Sequence, residues 1–220
     1  MEELARIAGP EAAHGRVVLA HLGNGASLAA VQGGKSVDTS MAFTPASGVP
    51  MSTRSGDLDP GLALYLALTE KMTSVEFDTM VNHQSGLLGV SETSSDMREL
   101  LDKEADDNRA AEAVALFCYQ VKKYIGAYAA ALGGLETLVF AGGIGENAHQ
   151  ARARICEGLG FLGIEIDMAR NSRNQPVISA DGSRVVVRVI RTDEELMIAR
   201  ATGDVLGRSG LASIFQGTGS

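Results

Sequence analysis

The sequence predicts an α/β domain in which a mixed β-sheet is flanked by helices. Three observations favour this fold: a β-meander opens the chain, a long helical stretch follows it, and two strand-to-helix units come last. A tight hairpin requires antiparallel strands, whereas strands that alternate with helices favour parallel pairing. A chain of 220 residues is long enough to bury the resulting core, as one domain or as two small ones.

The opening residues predict a short leader followed by a hairpin. Residues 1–16 are expected to form an amphipathic helix and a linker. The β-forming runs "RVVLAHL" and "ASLAAVQGG" come next, and they are separated by Gly23, Asn24 and Gly25, which favour a tight turn. A third strand, "KSVDTSMAF", follows a pair of glycines.

The middle of the chain is predicted to be helical after one long loop. Residues 44–60 hold three of the chain's five prolines and predict that loop. Asp59 before Pro60 is typical of a helix start. A further helix is expected to end at Gly86, and the next to be capped by the serines of "SSDMREL". The Ala-rich stretch 108–132 predicts a long, mostly buried helix.

The last third contains the two strand-to-helix units. "ETLVFAGGIGEN" predicts an apolar strand that runs into a glycine turn, with a helix through "AHQARARICEGLG" after it. "RVVVRVIRT" predicts the final strand, and Thr192 with Glu195 has the spacing of a capping box that opens a closing helix. Residues 207–220 are expected to form a flexible tail.

Charge and composition exclude several classes of partner. The net charge of −8 argues against nucleic acid and against an anionic membrane, because both surfaces would repel the chain. No apolar run is long enough to span a bilayer, and the start has no secretory signal pattern. Cys118 and Cys156 lack CxxC spacing, so a reducing cytoplasm is predicted, without a disulfide framework or a zinc site.

Two glycine turns are candidates for binding phosphate. Bare backbone at Gly23–Gly25 lets a ligand approach closely, although a plain hairpin selects the same residues. "FAGGIGEN" places its glycines where a strand ends and a helix begins, which is where open α/β sheets bind ligands. A nicotinamide dinucleotide is disfavoured because the next strand ends in "IRT" without an acidic residue. "GGKS" is not a P-loop, since Ala29 occupies its first glycine position.

Three side chains are candidates for chemistry near these turns. Arg54, in the Pro/Gly loop, is suited to neutralising charge on a transferring phosphoryl group, unless it pairs with Asp57 or Asp59 instead. Glu194 either favours the helix dipole or holds Mg²⁺ directly or through water. For His21, a structural role beside the turn and a phosphate contact stay equally open.

Seven segments in a fixed order resemble the acetate kinase family. They cover the chain from about Val17 to Leu206, and the resemblance is to the family's C-terminal half. The matching segments are "HLGNGASL", "GKSVDTSMAFTP", "MSTRSGDLDP", "SGLLGVS", "SSDMREL", "VFAGGIGENA" and "RTDEELMIARAT".

The resemblance implies a fold and a reaction. The fold is a ribonuclease-H-like (actin-like ATPase) domain, of the superfamily of actin, sugar kinases and heat-shock chaperones, with residues 17–206 as the nucleotide-binding domain. The reaction is reversible transfer of the ATP γ-phosphate to the carboxylate of acetate, with Mg²⁺, in a homodimer. Because the family's N-terminal domain is not in this sequence, the chain alone is expected to bind nucleotide weakly and not to turn over acetate.

The resemblance also implies roles for individual residues. Arg54 corresponds to the catalytic arginine and Glu194 to the Mg²⁺-associated glutamate. Residues 21–25 would hold the ATP phosphates, residues 96–98 would line the adenosine site, and residues 143–147 would lie beside it. The implied nucleotide-binding residues are therefore His21, Leu22, Gly23, Asn24, Gly25, Asp96, Met97, Arg98, Gly143, Ile144, Gly145, Glu146 and Asn147.

The chain also departs from the family pattern. Ala42 and Ser52 stand where glycine is usual, and "PASGV" replaces "PLEGL". The extra bulk near Arg54 could shift the loop geometry or the acyl-chain preference. Two alternatives therefore stay open beside acetate kinase: a propionate or butyrate kinase of the same family, and a non-catalytic ATP-binding or dimerisation module.

Overall fold

The computed structural model describes residues 1–192 and 202–203. Glu194, Glu195 and the predicted tail from 207 lie outside the described residues. The chain divides into two compact units, 1–190 and 191–220. The first is described below, and of the second the structure describes irregular backbone at 191–192 and helical backbone at 202–203.

A five-stranded mixed sheet forms the centre of the first unit. The strands are β1 (Arg16–Leu22), β2 (Ala26–Gln32), β3 (Lys35–Thr39), β4 (Thr137–Ala141) and β5 (Val186–Val189). Their order is β3-β2-β1-β4-β5, with β1, β2 and β3 antiparallel and with β4 and β5 parallel to β1. This topology confirms the expected ribonuclease-H-like fold.

Helices flank the sheet on the described part of the chain. The long predicted helix is confirmed as α7, and Asp107 caps it by accepting hydrogen bonds from the N–H groups of Arg109 and Ala110. The helices are α1 (Glu2–Ala8), α2 (Pro10–His14), α3 (Pro60–Leu68), α4 (Ser74–His83), α5 (Gly86–Ser91), α6 (Met97–Lys103), α7 (Asn108–Ala131), α8 (Gly142–Asn147), α9 (His149–Cys156) and α10 (Met168–Ser172).

The core lies on both faces of the sheet because β1 alternates its side chains. Val18 faces the main core, where Phe117 and Val121 of α7 are completely buried. Val17 faces the opposite side and packs with Leu4 of α1 and Ala13 of α2. Burying an aliphatic side chain such as Leu4 contributes about 1.5–3 kcal/mol.

The leader differs from the prediction of one helix and a linker. Residues 1–14 form two helices, because Gly9, with φ of 87°, breaks the chain direction and Pro10 starts α2. Leu4 is 2 % exposed against the second face of the sheet. This packing favours including residues 1–16 in the same unit as the sheet, while the domain limits 17–206 stay a prediction.

Several predicted boundaries of helices and strands differ from those in the structure. The helix that was expected to end at Gly86 ends at His83, and Gly86 instead starts α5. Asp96, not a serine, caps α6, because its carboxylate accepts a hydrogen bond from the N–H of Arg98. The glycine turn after β4 continues directly as the short helix α8. The third strand ends at Thr39, short of the predicted "SMAF".

Candidate functional site

The two glycine segments lie together at one edge of the sheet. The hairpin Gly23–Gly25 follows β1 and the segment Gly142–Asn147 follows β4, which is parallel to β1 and adjacent to it. A Cβ atom on Gly23 would lie 3.8 Å from the amide nitrogen of Gly143. A Cβ atom on Gly142, whose φ is 76°, would lie only 2.7 Å from the carbonyl oxygen of Leu22, so this approach requires glycine.

The hairpin tip presents backbone and one amide side chain to the outside. Gly23 donates its N–H to the carbonyl oxygen of Gly25 at 3.0 Å, which closes the turn. Asn24 is exposed at the apex, and His21 is half-buried at the end of β1. Leu22 is completely buried in the core, so only its backbone can meet a ligand.

Arg54 reaches the same place from the Pro/Gly loop. Its Nη1 atom lies 3.4 Å from the position of a Cβ atom on Gly25. Its hydrogen bonds within residues 1–192 are long ones, at 3.5 Å to the carbonyl oxygen of Pro45 and 3.6 Å to the sulfur of Met51. The guanidinium is therefore half-buried and without an ion pair in that part of the chain.

The alternative pairing of Arg54 with neighbouring aspartates is wrong. The Asp57 carboxylate accepts hydrogen bonds from the N–H of Gly48 at 2.8 Å and from the hydroxyl of Tyr124. Burial, followed by this bond to Asp57, raises the pKa of Tyr124 above its usual value. Asp59 caps α3 by accepting from the N–H of Gly61 at 2.6 Å.

The backbone around Arg54 is fixed although its side chain is not. Met51 and Arg54 close a tight turn through a backbone hydrogen bond of 3.0 Å. Gly86 packs so closely on this turn that a Cβ atom there would lie 2.1 Å from the carbonyl oxygen of Met51. The turn is also joined to residues 81–88 and to the hairpin by the backbone hydrogen bonds Leu87–Met51, Leu88–Ser52, Ser85–Thr53, Ser55–Val81 and Ser52–Asn24.

Residues 96–98 form the start of α6 and bond within their own segment. Asp96 pairs with Arg98 at 2.6 Å, and hydrogen bonds from Arg98 hold the pKa of the Asp96 carboxyl below its usual range. Met97 is 2 % exposed, so its side chain lies in the core. In the described part of the chain, no hydrogen bond of these residues reaches either glycine segment.

The second glycine segment is exposed at Gly143 and Asn147 and buried or partly buried at its other residues. Gly143 is exposed, and a Cβ atom there would meet nothing within 4 Å. Ile144 is half-buried against the core, and Gly145 packs on Phe140. The side chains of Glu146 and Asn147 bond back to the segment, at 3.1 Å to the N–H of Gly142 and 2.9 Å to the carbonyl oxygen of Gly143.

Sequence reasoning missed Arg152, which supports this segment from behind. Arg152 is completely buried in α9 and donates to the carbonyl oxygens of Gly145 and Glu146 at 2.8 and 2.9 Å. Burial lowers the pKa of its guanidinium to about 10. The signal in the sequence was its helical spacing from Ile155 and Cys156, both buried, which places Arg152 on the apolar face of α9.

The described residues offer neither a cluster of metal ligands nor a helix that could span a membrane. They contain no group of three or more His, Cys, Asp or Glu side chains arranged to hold a metal ion. None of their helices combines the length and the apolar composition needed to cross a bilayer. The predicted Mg²⁺-associated residue, Glu194, lies outside the described residues.

Sequence comparison relates the chain to kinases that act on short-chain acids. The model of the Acetokinase family matches residues 1–200. The acetate kinase of Coprothermobacter proteolyticus is 49 % identical over 207 residues, which are 93 % of this chain and 52 % of that protein. The propionate kinase of Citrobacter rodentium is 53 % identical over 186 residues, which are 84 % of this chain and 46 % of that protein.

Solved structures of acetate and propionate kinases also resemble the fold of this chain. The acetate kinase of Porphyromonas gingivalis has a TM-score of 0.88 at 42 % identity, over 93 % of this chain and 52 % of that one. A propionate kinase from Francisella tularensis has a TM-score of 0.85 at 42 % identity, over 90 % of this chain and 51 % of that one. The chain thus spans about half the length of the relatives it matches. By these matches, the chain belongs to the acetokinase family.

Proposed function

We propose that this chain forms the nucleotide-binding half of an acetate kinase. In this role it binds ATP or ADP with Mg²⁺ and serves the reversible transfer of the γ-phosphate to the carboxylate of acetate or a similar short-chain acid. One observation carries the proposal. A guanidinium without an ion pair in residues 1–192, that of Arg54, lies beside Gly25 at the place where two glycine segments meet.

The chemistry of this place suits a phosphate chain. Exposed backbone at Gly143 and at the hairpin tip offers N–H groups that side chains do not shield, and such groups bind anions. The chain as a whole carries a net charge of −8, so an anionic ligand needs a local concentration of donors and positive charge. The hairpin and Arg54 provide both within one small region.

Arg54 is the residue we propose to act on the transferring group. Its fixed backbone and weakly held side chain allow the guanidinium to contact phosphoryl oxygens without first breaking an ion pair. ATP with Mg²⁺ would supply an activated γ-phosphoryl group whose charge the metal partly neutralises. Glu194 would hold that metal directly or through water. Residues 96–98 would line the adenosine site, and residues 143–147 would lie beside it.

The acyl acceptor is proposed as acetate, with propionate or butyrate as the alternative. Relatives of both names match the chain at similar identity. Ser52 is 8 % exposed, and its N–H donates to the carbonyl oxygen of Asn24 at 3.1 Å. Its side chain therefore adds bulk between the Arg54 turn and the hairpin. Turnover of acetate, propionate and butyrate by the full-length protein decides between these acids.

A homodimer in the cytoplasm is also part of the proposal, and α3 is the surface that favours it. None of the nine residues of this apolar helix is buried, and Leu64, Tyr65 and Leu68 are 61 %, 55 % and 62 % exposed. An apolar helix of this kind marks an interaction surface. Sedimentation of the chain and of the variant Leu64→Glu tests this: dissociation of a dimer by the variant is expected, and a monomeric parent chain contradicts it.

Calorimetry with ATP·Mg²⁺ and ADP·Mg²⁺ tests the nucleotide site. We expect weak binding of both, with Arg54→Ala weakening ATP more than ADP. Arg6→Ala is the matched control, because Arg6 is an exposed arginine that pairs with Glu3 on α1. With ATP·Mg²⁺ and acetate present, we expect the purified chain by itself to form no acetyl phosphate. Absence of nucleotide binding, or turnover by this chain alone, contradicts the proposal.

A further inference from the structure

Arg152 is a buried cation that uses all of its donors. Its side chain is 0 % exposed, and each of the five N–H groups of a guanidinium can be matched to an oxygen atom. The acceptors are the carbonyl oxygens of Gly145, Glu146 and Asn171 and the side-chain oxygens of Asn171 and Asn174, at 2.6 to 2.9 Å. All of these acceptors are neutral.

A fully buried arginine without a carboxylate is unusual. Charged side chains are rarely buried unless they are paired, because removing a charge from water is energetically costly. Arg154, two residues further along α9, shows the usual arrangement: it is partly exposed and binds the Glu104 carboxylate through two hydrogen bonds of 2.6 Å. Within residues 1–192, Arg152 makes no such ion pair.

The position of Arg152 suggests where its counter-charge comes from. Its Nη1 atom bonds the carbonyl oxygens of Gly145 and Glu146, at the end of the segment whose first part approaches the hairpin. Asn171 and Asn174 hold the guanidinium from the other side, and Asn171 is itself fixed by a bond to the carbonyl oxygen of His149. The charge therefore lies directly behind the proposed nucleotide site and cannot turn away.

We propose that the phosphate groups of the bound nucleotide are the counter-anion of Arg152, which acts as a positioning residue without touching them. Arg152 fixes the Gly142–Asn147 segment through its carbonyl oxygens and raises the electrostatic potential on the far side. Protein between the two charges screens them less than water does, so the attraction persists over several ångströms. This inference rests on the proposed function.

A purely structural role predicts something different. If Arg152 only linked α8, α9 and α10, its loss would disturb the segment equally for every nucleotide. If its charge attracts the phosphates, the loss of affinity grows with the charge of the ligand. The series AMP, ADP and ATP, measured without Mg²⁺ so that each phosphate adds charge, separates the two roles.

The experiment compares three variants of the full chain. Arg152→Gln removes the charge and keeps part of the hydrogen bonding, Arg152→Lys keeps the charge, and Arg154→Met is the control that removes the same charge from a paired site. For Arg152→Gln we expect the loss of affinity to increase by roughly fivefold with each added unit of ligand charge. For Arg152→Lys and Arg154→Met we expect the same factor for all three nucleotides.

Each outcome has a definite meaning. An equal loss for AMP, ADP and ATP in Arg152→Gln overturns the inference and leaves the proposed function in place. If Arg152→Gln does not fold, Arg152→Lys decides, because a folded lysine variant that loses its preference for ATP over AMP also overturns the inference. If the parent chain binds none of the three nucleotides, with or without Mg²⁺, the proposed function fails together with it.

Discussion

Arg54 lies beside the hairpin Gly23–Gly25 and Arg152 lies behind the segment Gly142–Asn147, and the two guanidinium groups are held in opposite ways. Arg54 lies on a loop whose backbone is fixed, while its guanidinium makes only two long contacts in the described part of the chain. Arg152 lies on a helix, and its guanidinium is locked by five hydrogen bonds and fully buried. The comparison separates a cation available to a ligand from a cation that supports the site.

The two ways of holding a guanidinium have different consequences for the stability of the protein. A guanidinium that contacts a ligand must stay unpaired and partly hydrated, so it contributes little to the stability of the empty protein. A buried guanidinium contributes through its hydrogen bonds but carries the cost of desolvation, which lowers its pKa to about 10. Loss of Arg54 should therefore weaken ligand binding with little change in stability, whereas loss of Arg152 should lower the stability strongly.

The largest expected effect is on the stability of Arg152→Ala. This variant leaves five oxygen acceptors without their donor, two of them in the Gly142–Asn147 segment, and we expect the free energy of unfolding to fall by about 3–5 kcal/mol. Urea denaturation measures this change. Arg54→Ala is the matched comparison and is expected to change stability by less than about 0.5 kcal/mol. Equal losses in the two variants would remove the distinction.

Gly86→Ala should destabilise the turn that carries Arg54 almost as strongly as Arg152→Ala destabilises the Gly142–Asn147 segment. The added Cβ atom would lie 2.1 Å from the carbonyl oxygen of Met51 and 2.6 Å from that of Arg54, so the turn must move. We expect a loss of about 2–3 kcal/mol from strain and the clash. The control is Gly33→Ala, which has a similar positive φ of 60° but nothing within 4 Å of the new atom. If Gly33→Ala lost as much stability as Gly86→Ala, backbone strain at positive φ, and not the clash with Met51, would explain the loss.

A smaller effect is expected on ligand binding by Arg54→Ala. Removing the guanidinium from its place beside Gly25 should weaken ATP·Mg²⁺ by about tenfold, or 1.4 kcal/mol, and ADP·Mg²⁺ by less. Calorimetry on the folded variant measures both. Arg54→Lys is expected to recover only part of the loss, because an ammonium lacks the planar fork that binds phosphoryl oxygens. If Arg54→Lys recovered the full affinity for ATP·Mg²⁺, the positive charge of Arg54 and not the shape of its guanidinium would explain binding.

The smallest effect concerns the ordinary ion pair of Arg154. Hydrogen bonding from Arg154 lowers the pKa of the Glu104 carboxyl, so the pair stabilises the fold above the unfolded pKa of glutamate. That stability, at most about 1 kcal/mol, is lost as the pH falls through the lowered pKa. Unfolding free energies of the parent chain and Arg154→Met should therefore converge in acid. A difference that stays constant with pH would indicate packing rather than charge.

Those parts of the candidate site that depend on short stretches of sequence could be predicted, whereas contacts between residues far apart in the chain could not. The hairpin at Gly23–Gly25, the loop around Arg54 and the strand before Gly142 each follow from a short pattern of glycine, proline and apolar residues. The partner of Asp57 could not be predicted, because Tyr124 lies 67 residues away from it, whereas the capping role of Asp59 follows from the Asp-Pro helix start. A propensity argument would simply place such loop aspartates beside the nearest arginine.

Arg152 and the leader show the limit of that reasoning. The motif "ARARIC" gives no sign that the first of its two arginines, Arg152, has five hydrogen-bond acceptors outside the motif. Only the spacing of Arg152 from Ile155 and Cys156 indicates that it is buried. The helices α1 and α2 are too short for a clear periodicity. Their packing on the sheet depends on Val17, Val31 and Val139, which come from three different strands.

The two glycine segments and Arg54 are proposed to bind one and the same phosphate chain. Amide chemical shifts of the chain, recorded by NMR during a titration with ATP·Mg²⁺, test this directly. We expect the largest changes at residues 23–25 and 143–145, and a loss of affinity without relocation of these changes in Arg54→Ala. Shifts confined to one of the two segments, or centred on a different surface, would contradict the central claim.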